Sequence, residues 1–175
     1  LQKYNISPTI AMKVYDVFGS SSIDIIERNP YTLADTVSGI AFTTADMIGY
    51  NMGIPKNSML RICSGIKYLM QNAAYQSGHT YMPYSLIVED TAYKLNVTES
   101  EAENALIELI DEKEVVCDTI ERERVCFLKE LYEQEMYIAS RLTVMAKNKP
   151  KVVLNALQTE QRLSGLLLKN ELAPE

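Results

Sequence analysis

The sequence has few of the residues on which catalysis and metal binding depend. It contains a single histidine, His79, and three cysteines without a C-x-x-C pair. One histidine cannot supply a metal site, and no serine or cysteine partner for nucleophilic catalysis is evident. We therefore expect no catalytic residue and no metal site. We interpret His79 as a hydrogen-bonded residue at a turn between two helices.

Long apolar runs and phosphate-binding loops are missing as well. No apolar run approaches the ~20 residues that cross a bilayer, and Leu1–Lys13 lacks the charged start and apolar block of a signal peptide. None of the seven glycines is followed by lysine, which excludes a G-x-x-x-x-G-K-[ST] loop. We expect a cytoplasmic chain without membrane contact, taken from inside a longer protein.

The odd number of cysteines does not indicate a disulfide framework. Cys117 and Cys126 could face each other across a hairpin, which leaves two interpretations open: free buried thiols, or a functional pair. We expect free thiols for all three cysteines, because a reducing cytoplasm fits the chain best.

The net charge of −6 is unevenly distributed. Residues 61–127 hold twelve acidic residues against six basic ones, whereas residues 1–60 and 128–175 are close to balance. Affinity for nucleic acid comes mainly from the neutralisation of phosphates, so this profile is poor for general binding. Any contact with DNA must use backbone amides and a few placed cations.

The first sixty residues contain a repeat. A shift of 34 residues aligns Asn5–Val14 with Gly39–Ile48, and Phe18-Gly19 with Met52-Gly53. Identities are few, but both segments run from a turn residue into a helix and end on a glycine suited to a helix C-terminus. In the first, Ser7-Pro8 is a typical N-cap followed by proline.

A helix, a glycine-containing turn and a second helix, given twice, resemble tandem helix-hairpin-helix motifs. The glycine lets the backbone turn sharply, and the next helix directs its free N–H groups at a phosphate. Thr43 or Thr44 is expected to cap the helix of the second hairpin. The candidate DNA-binding residues are Gly39, Ile40, Ala41, Phe42, Thr43 and Thr44 in the second hairpin, Asn5 and Ser7 in the first, and Lys13, Lys56 and Arg61 as supporting cations.

Both hairpins depart from the usual pair of glycines. Ala41 replaces one glycine in the second hairpin, and Asn5 and Ser7 replace both in the first, although asparagine tolerates a left-handed backbone. Asp46 would repel a phosphate. The alternative is a helical repeat that packs only on its neighbours. We favour DNA contact for the second hairpin and the purely structural role for the first.

The middle of the chain predicts three helices followed by one small β-hairpin, which resembles a winged helix-turn-helix. The helices are expected from Asn57-Ser58 to about Gln76, over Met82–Leu95 and over Thr98–Lys113, and the strands over Val115–Cys117 and Arg124–Phe127. Thr98 and Glu101 form a capping box. The third helix is strongly acidic, so we expect it to pack on protein rather than enter a DNA groove.

Two further segments have more than one interpretation. Gly78–Tyr81 is a helix-to-helix turn, or a loop whose Tyr81 stacks on a base. Lys147–Lys151, the densest basic cluster, separates helices predicted over Leu128–Ala146 and Val152–Lys169. The cluster is either a charge complement with a linker, or a phosphate contact or docking site for a motor domain.

Several stretches, taken in order, carry a family resemblance. They are Ile6-Ser7-Pro8, Asn29-Pro30-Tyr31, Gly39-Ile40-Ala41-Phe42-Thr43-Thr44-Ala45-Asp46, Gly65-Ile66-Lys67-Tyr68-Leu69 and Gly78-His79-Thr80-Tyr81. Together they resemble the N-terminal extension of RecD/TraA-type ATP-dependent DNA helicases, the RecD subfamily with the longer N-terminus, related to the exodeoxyribonuclease V alpha subunit. Leu167–Glu175 resembles the stretch that leads into the first ATPase domain.

The resemblance implies a helicase of repair or recombination that moves 5′ to 3′ on single-stranded DNA. ATP and magnesium would bind in a motor that lies outside this chain, so we expect no cofactor here. The expected partners are single-stranded or forked DNA, bound without sequence preference, and the helicase's own motor domains. The rival hypothesis is a scaffold that docks on the motor or on another protein without touching DNA.

The predicted fold is mostly α. Residues 1–57 form the tandem helix-hairpin-helix unit, residues 58–127 the winged-helix-like domain with one small β-hairpin, and residues 128–175 a helical connector to the absent motor.

Overall fold

The computed structural model describes Tyr4, residues 6–148 and residues 156–169. The chain divides into two units, Leu1–Glu135 and Met136–Glu175. The elements are α1 (Pro8–Phe18), α2 (Ser22–Arg28), α3 (Thr32–Thr36), α4 (Phe42–Asn51), α5 (Met59–Ser77), β1 (Tyr81–Pro83), α6 (Tyr84–Leu95), α7 (Glu99–Asp111), β2 (Val115–Ile120), β3 (Glu123–Leu128), α8 (Lys129–Lys147) and α9 (Ala156–Lys169). A short 3-10 turn, Gly19–Ser21, joins α1 to α2.

Helices α1 to α4 enclose a small apolar core. Its fully buried members are Ile6, Val14, Ile26, Leu33, Val37, Ile40 and Ile48. The helix α1 begins as predicted, with Pro8 as its first residue and the Ser7 hydroxyl accepting the Ile10 N–H at 3.4 Å. Helices α3 and α4 flank a turn that contains Gly39. The second predicted hairpin is therefore present.

The start of α4 differs from the prediction. Ala41 occupies the N-cap position, and neither Thr43 nor Thr44 caps the helix. The Ala41 carbonyl already accepts the N–H groups of Thr44 and Ala45, at 3.0 and 3.2 Å. The helix begins at Phe42, whose side chain is buried in the larger core described below, so Thr43 and Thr44 lie inside the first turn and not at the cap position.

A second, larger core lies between helices α5, α6 and α7 and a three-stranded antiparallel sheet. The strand order is β1-β3-β2. Its fully buried residues include Ile62, Ile66, Ile87, Leu106 and Val115. The capping box at the start of α7 is confirmed: the Thr98 hydroxyl accepts the Glu101 N–H at 3.2 Å, and the Glu101 carboxylate accepts the Thr98 N–H at 2.9 Å.

The expectation of a single β-hairpin is wrong, because β1 adds a third strand. Met82 pairs with Cys126 of β3 and buries its side chain, and α6 starts at Tyr84 instead of Met82. The final strand residue is Pro83, which lacks an N–H group. Proline is tolerated on an edge strand such as this one.

Free thiols at Cys117 and Cys126 are also contradicted. The two residues are direct partners in the β2–β3 ladder, with Cα atoms 4.3 Å apart, and their sulfurs form a disulfide. Cross-strand neighbours place two Cβ atoms close together, so the register of the hairpin brings the sulfurs within reach. Cys63 is free, as expected.

The second unit contains the end of α8 and the helix α9. Residues of α8 from Met136 onward are exposed, including large apolar side chains such as Tyr137 and Met145. Lys147 is the last residue of α8, while Lys149–Lys151 of the basic cluster and residues 152–155 of the last predicted helix lie outside the described residues. Among the described helices, none is both long and apolar enough to span a bilayer.

A close helix contact at Gly65 gives a first prediction. A Cβ atom on Gly65 would collide with the Leu95 Cδ1 atom of α6, which is buried. We expect Gly65→Ala to lower the free energy of unfolding by about 1–3 kcal/mol, as overpacking does. Gly165→Ala is the control, since that glycine has open space around it. Equal melting temperatures, followed by circular dichroism, would contradict the packing.

The cysteines give a second prediction. In denaturant, the oxidised chain should show one thiol to Ellman's reagent and the reduced chain three; three thiols in the oxidised chain would rule out the disulfide. Burial, followed by the nearby Glu112 and Glu108, raises the pKa of Cys63 to about 11. Native Cys63 should therefore alkylate at pH 8 about 100-fold more slowly than an ordinary thiol, because the thiolate reacts.

That pKa also sets a pH dependence of stability. The unfolded thiol titrates near its ordinary value of about 9 and the folded one at about 11. The contribution of Cys63 is thus complete below pH ~9 and declines as the pH rises through the folded value. Cys63→Ser should flatten the alkaline limb of a stability profile.

Candidate nucleic-acid interface

The turn of the second hairpin leaves several backbone donors free. Gly39 has φ +78°, the left-handed region that favours glycine, and this bends the chain between α3 and α4. The Ile40 N–H donates to the Val37 carbonyl at 3.1 Å. Within the described part of the chain, no hydrogen bond engages the N–H groups of Gly39, Ala41, Phe42 or Thr43. These donors share the positive end of the α4 dipole.

A lysine from the first repeat lies directly over this turn. The Lys13 Nζ atom is 2.8 Å from the position that a Cβ atom on Gly39 would occupy. Lys13 projects from α1, is exposed, and has no ion-pair partner among the described residues. An ammonium group and free N–H groups therefore meet at one place, which is the combination that binds a phosphate.

The carboxylate of Asp46, which would repel a phosphate, is neutralised inside the fold. Arg61 binds it through two parallel contacts, Nε to Oδ1 at 2.8 Å and Nη2 to Oδ2 at 3.1 Å. The buried Tyr31 hydroxyl donates to the same Oδ1 at 3.0 Å. Burial and the Asp46 carboxylate raise the pKa of Tyr31 above its ordinary value, so the hydroxyl stays protonated as a donor.

All three nitrogens of the Arg61 guanidinium donate to groups within the fold. Its remaining donor group, Nη1, binds the backbone carbonyls of Lys56 at 2.8 Å and Leu95 at 3.1 Å, and the side chain is only 13% exposed. Lys56 itself is exposed. Of the three cations that the sequence suggested, Lys13 lies at the turn, Lys56 accepts a hydrogen bond from Arg61 through its backbone carbonyl, and Arg61 is paired with Asp46.

The other suggested residues differ in what they present. Ile40 and Phe42 are buried, so only their backbone atoms reach the surface of the turn. Thr43 is exposed and Thr44 half-buried. In the first hairpin, Ser7 is exposed but its hydroxyl already accepts an N–H of its own helix. Asn5 lies outside the described residues.

The structure also shows a cleft that the sequence analysis missed. It has a volume of about 320 Å³ and lies between the turn, at Gly39–Phe42, and one face of α5. The α5 residues on this face are Ser64, Tyr68, Gln71, Asn72 and Tyr75. In the sequence, this face of α5 is visible only as polar and aromatic residues at helical spacing. Such a pattern is also typical of an ordinary solvated surface, and the sequence does not show that the turn packs opposite it.

The acidic helix α7 presents its charges to solvent. Glu99, Glu103, Glu108, Asp111 and Glu112 are exposed. The Tyr84 hydroxyl donates to the Glu103 carboxylate at 3.2 Å, and the Arg124 guanidinium lies 4.0 Å from the centre of the Tyr84 ring. Among the described residues, none of these five carboxylates forms an ion pair, so a phosphate backbone would be repelled from them.

His79 makes its contact through the backbone and not through its ring. Its N–H donates to the Ala73 carbonyl at 3.1 Å, and the residue is exposed. The expected hydrogen bond at this helix end is therefore a main-chain one. Tyr81, two residues on, packs its ring against Phe127 with ring centroids 5.4 Å apart.

Comparison with known proteins agrees with this arrangement. Residues 1–81 match the family model described as the ATP-dependent RecD2 DNA helicase HHH domain. The match covers α1 to α5, including the turn, Lys13, the Asp46–Arg61 pair and the cleft. These residues are therefore similar to the helix-hairpin-helix domain of RecD2 helicases.

A curated relative extends the likeness. The chain is 28% identical over 106 residues to the ATP-dependent RecD2 DNA helicase of Deinococcus radiodurans. The alignment covers 61% of this chain and 15% of that relative, so the chain spans a small part of its length. The predicted resemblance to the N-terminal region of a RecD-type helicase is confirmed.

The partly buried ion pair between Asp46 and Arg61 gives a third prediction. Asp46→Ala leaves the guanidinium of Arg61 without its bidentate partner, and we expect a loss of about 2 kcal/mol in the free energy of unfolding. Asp90→Ala is the control, because its i,i+4 pair with Lys94 is largely exposed and is worth about 0.5 kcal/mol or less. Urea unfolding midpoints measure both. Similar losses of stability in the two variants would contradict a stabilising role for the Asp46–Arg61 pair.

Proposed function

We propose that this chain is a non-catalytic DNA-binding accessory segment of a RecD-like DNA helicase. It contacts single-stranded or forked DNA without sequence preference, through the free backbone N–H groups around Gly39–Thr44, those of Gly39, Ala41, Phe42 and Thr43. The observation that carries the proposal is the meeting of unpaired N–H groups with the Lys13 ammonium at Gly39. The likeness to a RecD2 helix-hairpin-helix domain supports it.

A chain with a net negative charge can bind DNA through these groups. Backbone N–H groups and a single lysine bind phosphate oxygens, which are the same at every nucleotide, so no base is read. The nearest carboxylate, Asp46, is held by Arg61 and does not oppose the phosphate. Binding of this kind is weak and depends on salt, which suits a segment that assists a motor rather than replacing it.

We further propose that residues 58–127 form a winged-helix domain, with residues 1–57 as the tandem hairpin unit and residues 128–175 as the connector. The order helix, strand, helix, helix, strand, strand and the sheet order β1-β3-β2 support this. The exposed acidic face of α7 favours a protein partner, and we propose the helicase's own motor domains. ATP and magnesium would bind in that motor, and translocation would run 5′ to 3′.

A second candidate function is a docking scaffold that touches no DNA. The acidic face of α7 and the exposed apolar residues of α8 favour it. The two candidates make different claims about the hairpin turn. A scaffold gains nothing from Lys13 or from the free N–H groups of residue 39 and residues 41–43, whereas a DNA-binding segment loses affinity when either is removed.

A fourth prediction tests the turn by removing one donor at a time. Ala41 has φ −82°, close to the value that proline requires, and its N–H is unpaired in the described residues. Ala41→Pro should therefore keep the turn but weaken binding of labelled single-stranded DNA by about 5-fold or more. Ala41→Val, which keeps the N–H and a similar bulk, should bind as the parent does. Fluorescence anisotropy measures both.

Lys13→Ala provides the matching test of the cation. It should weaken binding and also reduce the slope of log Kd against log salt by about 0.7, the value for one phosphate contact on a single strand. Lys129→Ala removes an equal charge at an exposed site that is not part of the turn. Equal effects from Lys13 and Lys129, or no binding even in low salt, would favour the scaffold.

A further inference from the structure

We propose that the cleft between the hairpin turn and α5 takes one unstacked nucleobase of single-stranded DNA. This inference rests on the proposed function and adds to it the class of nucleic acid that the hairpin prefers. The cleft has a volume of about 320 Å³ and is lined by both apolar and polar groups. Clefts that hold small-molecule ligands typically measure about 300–1,000 Å³.

The aromatic residues of the cleft suit a flat ring. Phe42 and Tyr68 stack with ring centroids 5.5 Å apart and form part of its wall. Tyr75, at the edge of the cleft, is 86% exposed and makes no recorded ring contact within the described chain. An exposed tyrosine ring beside a cleft offers a face on which any base can stack, whatever its identity.

The polar residues suit the edge of a base. Gln71 and Asn72 line the cleft half-buried, and no hydrogen bond engages either amide in the described chain. A carboxamide both donates and accepts, as base edges do. Ser64, only 4% exposed, is also part of the wall, and its hydroxyl has no hydrogen-bond partner in the described residues.

The charges near the cleft are compatible with a nucleotide. Asp35 lines it, but its carboxylate pairs with the Lys67 ammonium at 2.6 Å. The turn residues Gly39 to Phe42 belong both to the cleft wall and to the candidate phosphate site. One nucleotide can therefore place its phosphate at the turn, near Lys13, and its base against Tyr75. A base inside a duplex is stacked and paired, so the cleft selects a single strand.

The test compares two tyrosines of equal exposure in the intact chain. Tyr75 and Tyr93 are both 86% exposed, but only Tyr75 lines the cleft. We expect Tyr75→Ala to weaken binding of an oligothymidine by about 5- to 100-fold, the range for loss of one base stack, and to leave duplex binding unchanged. Tyr93→Ala should change neither. Gln71→Ala should weaken single-strand binding by a smaller factor.

An oligonucleotide of abasic sites completes the test. It should bind the parent chain more weakly than oligothymidine does, and Tyr75→Ala should reduce the difference in affinity between the two. If Ala41→Pro weakens binding while Tyr75→Ala does not, the phosphate site stands and the base cleft is overturned. If Tyr75→Ala weakens duplex and single-strand binding alike, the residue contacts backbone only and the cleft is again overturned. If no DNA binds, the proposed function itself fails.

Discussion

The ion pair between Asp46 and Arg61 is the interaction on which the rest of the first unit depends. Asp46 lies on α4, Arg61 on α5, and the Tyr31 hydroxyl, from the segment between α2 and α3, joins the same carboxylate. Arg61 also binds the carbonyls of Lys56 and Leu95. One guanidinium thus fixes the hairpin helices against α5 and the end of α6. It does so with hydrogen-bonded charges, which demand a single geometry where apolar packing would allow several.

That pair also resolves a conflict between charge and proposed function. An acidic residue early in the helix after a phosphate-binding turn is unfavourable, because it repels the anion that the turn would hold. Here its charge is balanced within the fold, so the local field at the turn is set by Lys13 and the α4 dipole. The acidic residues of α7 face solvent. One chain can therefore present an anion-attracting turn and an anion-repelling helix without contradiction.

Features that depend on near neighbours in sequence could be predicted, and features that depend on distant partners could not. The Ser7 cap, the left-handed Gly39 and the Thr98–Glu101 box are set within a few residues and are present. The strand β1 exists because Met82 meets Cys126, and the disulfide exists because of the β2–β3 register. The pairing of Arg61 with Asp46 and the cleft beside Tyr75 arise from the packing of α4 and the turn on α5, which no local pattern encodes.

The position of Lys13 has a consequence for how the two repeats relate. A residue of the first repeat completes the turn of the second, while the Ser7 hydroxyl of the first occupies an N–H of its own helix. The two repeats therefore contribute different groups to one place. The second provides the free backbone N–H groups, and the first provides the Lys13 ammonium. The second hairpin is not a transplantable module: grafted alone onto another scaffold, it would carry the amides and leave its cation behind.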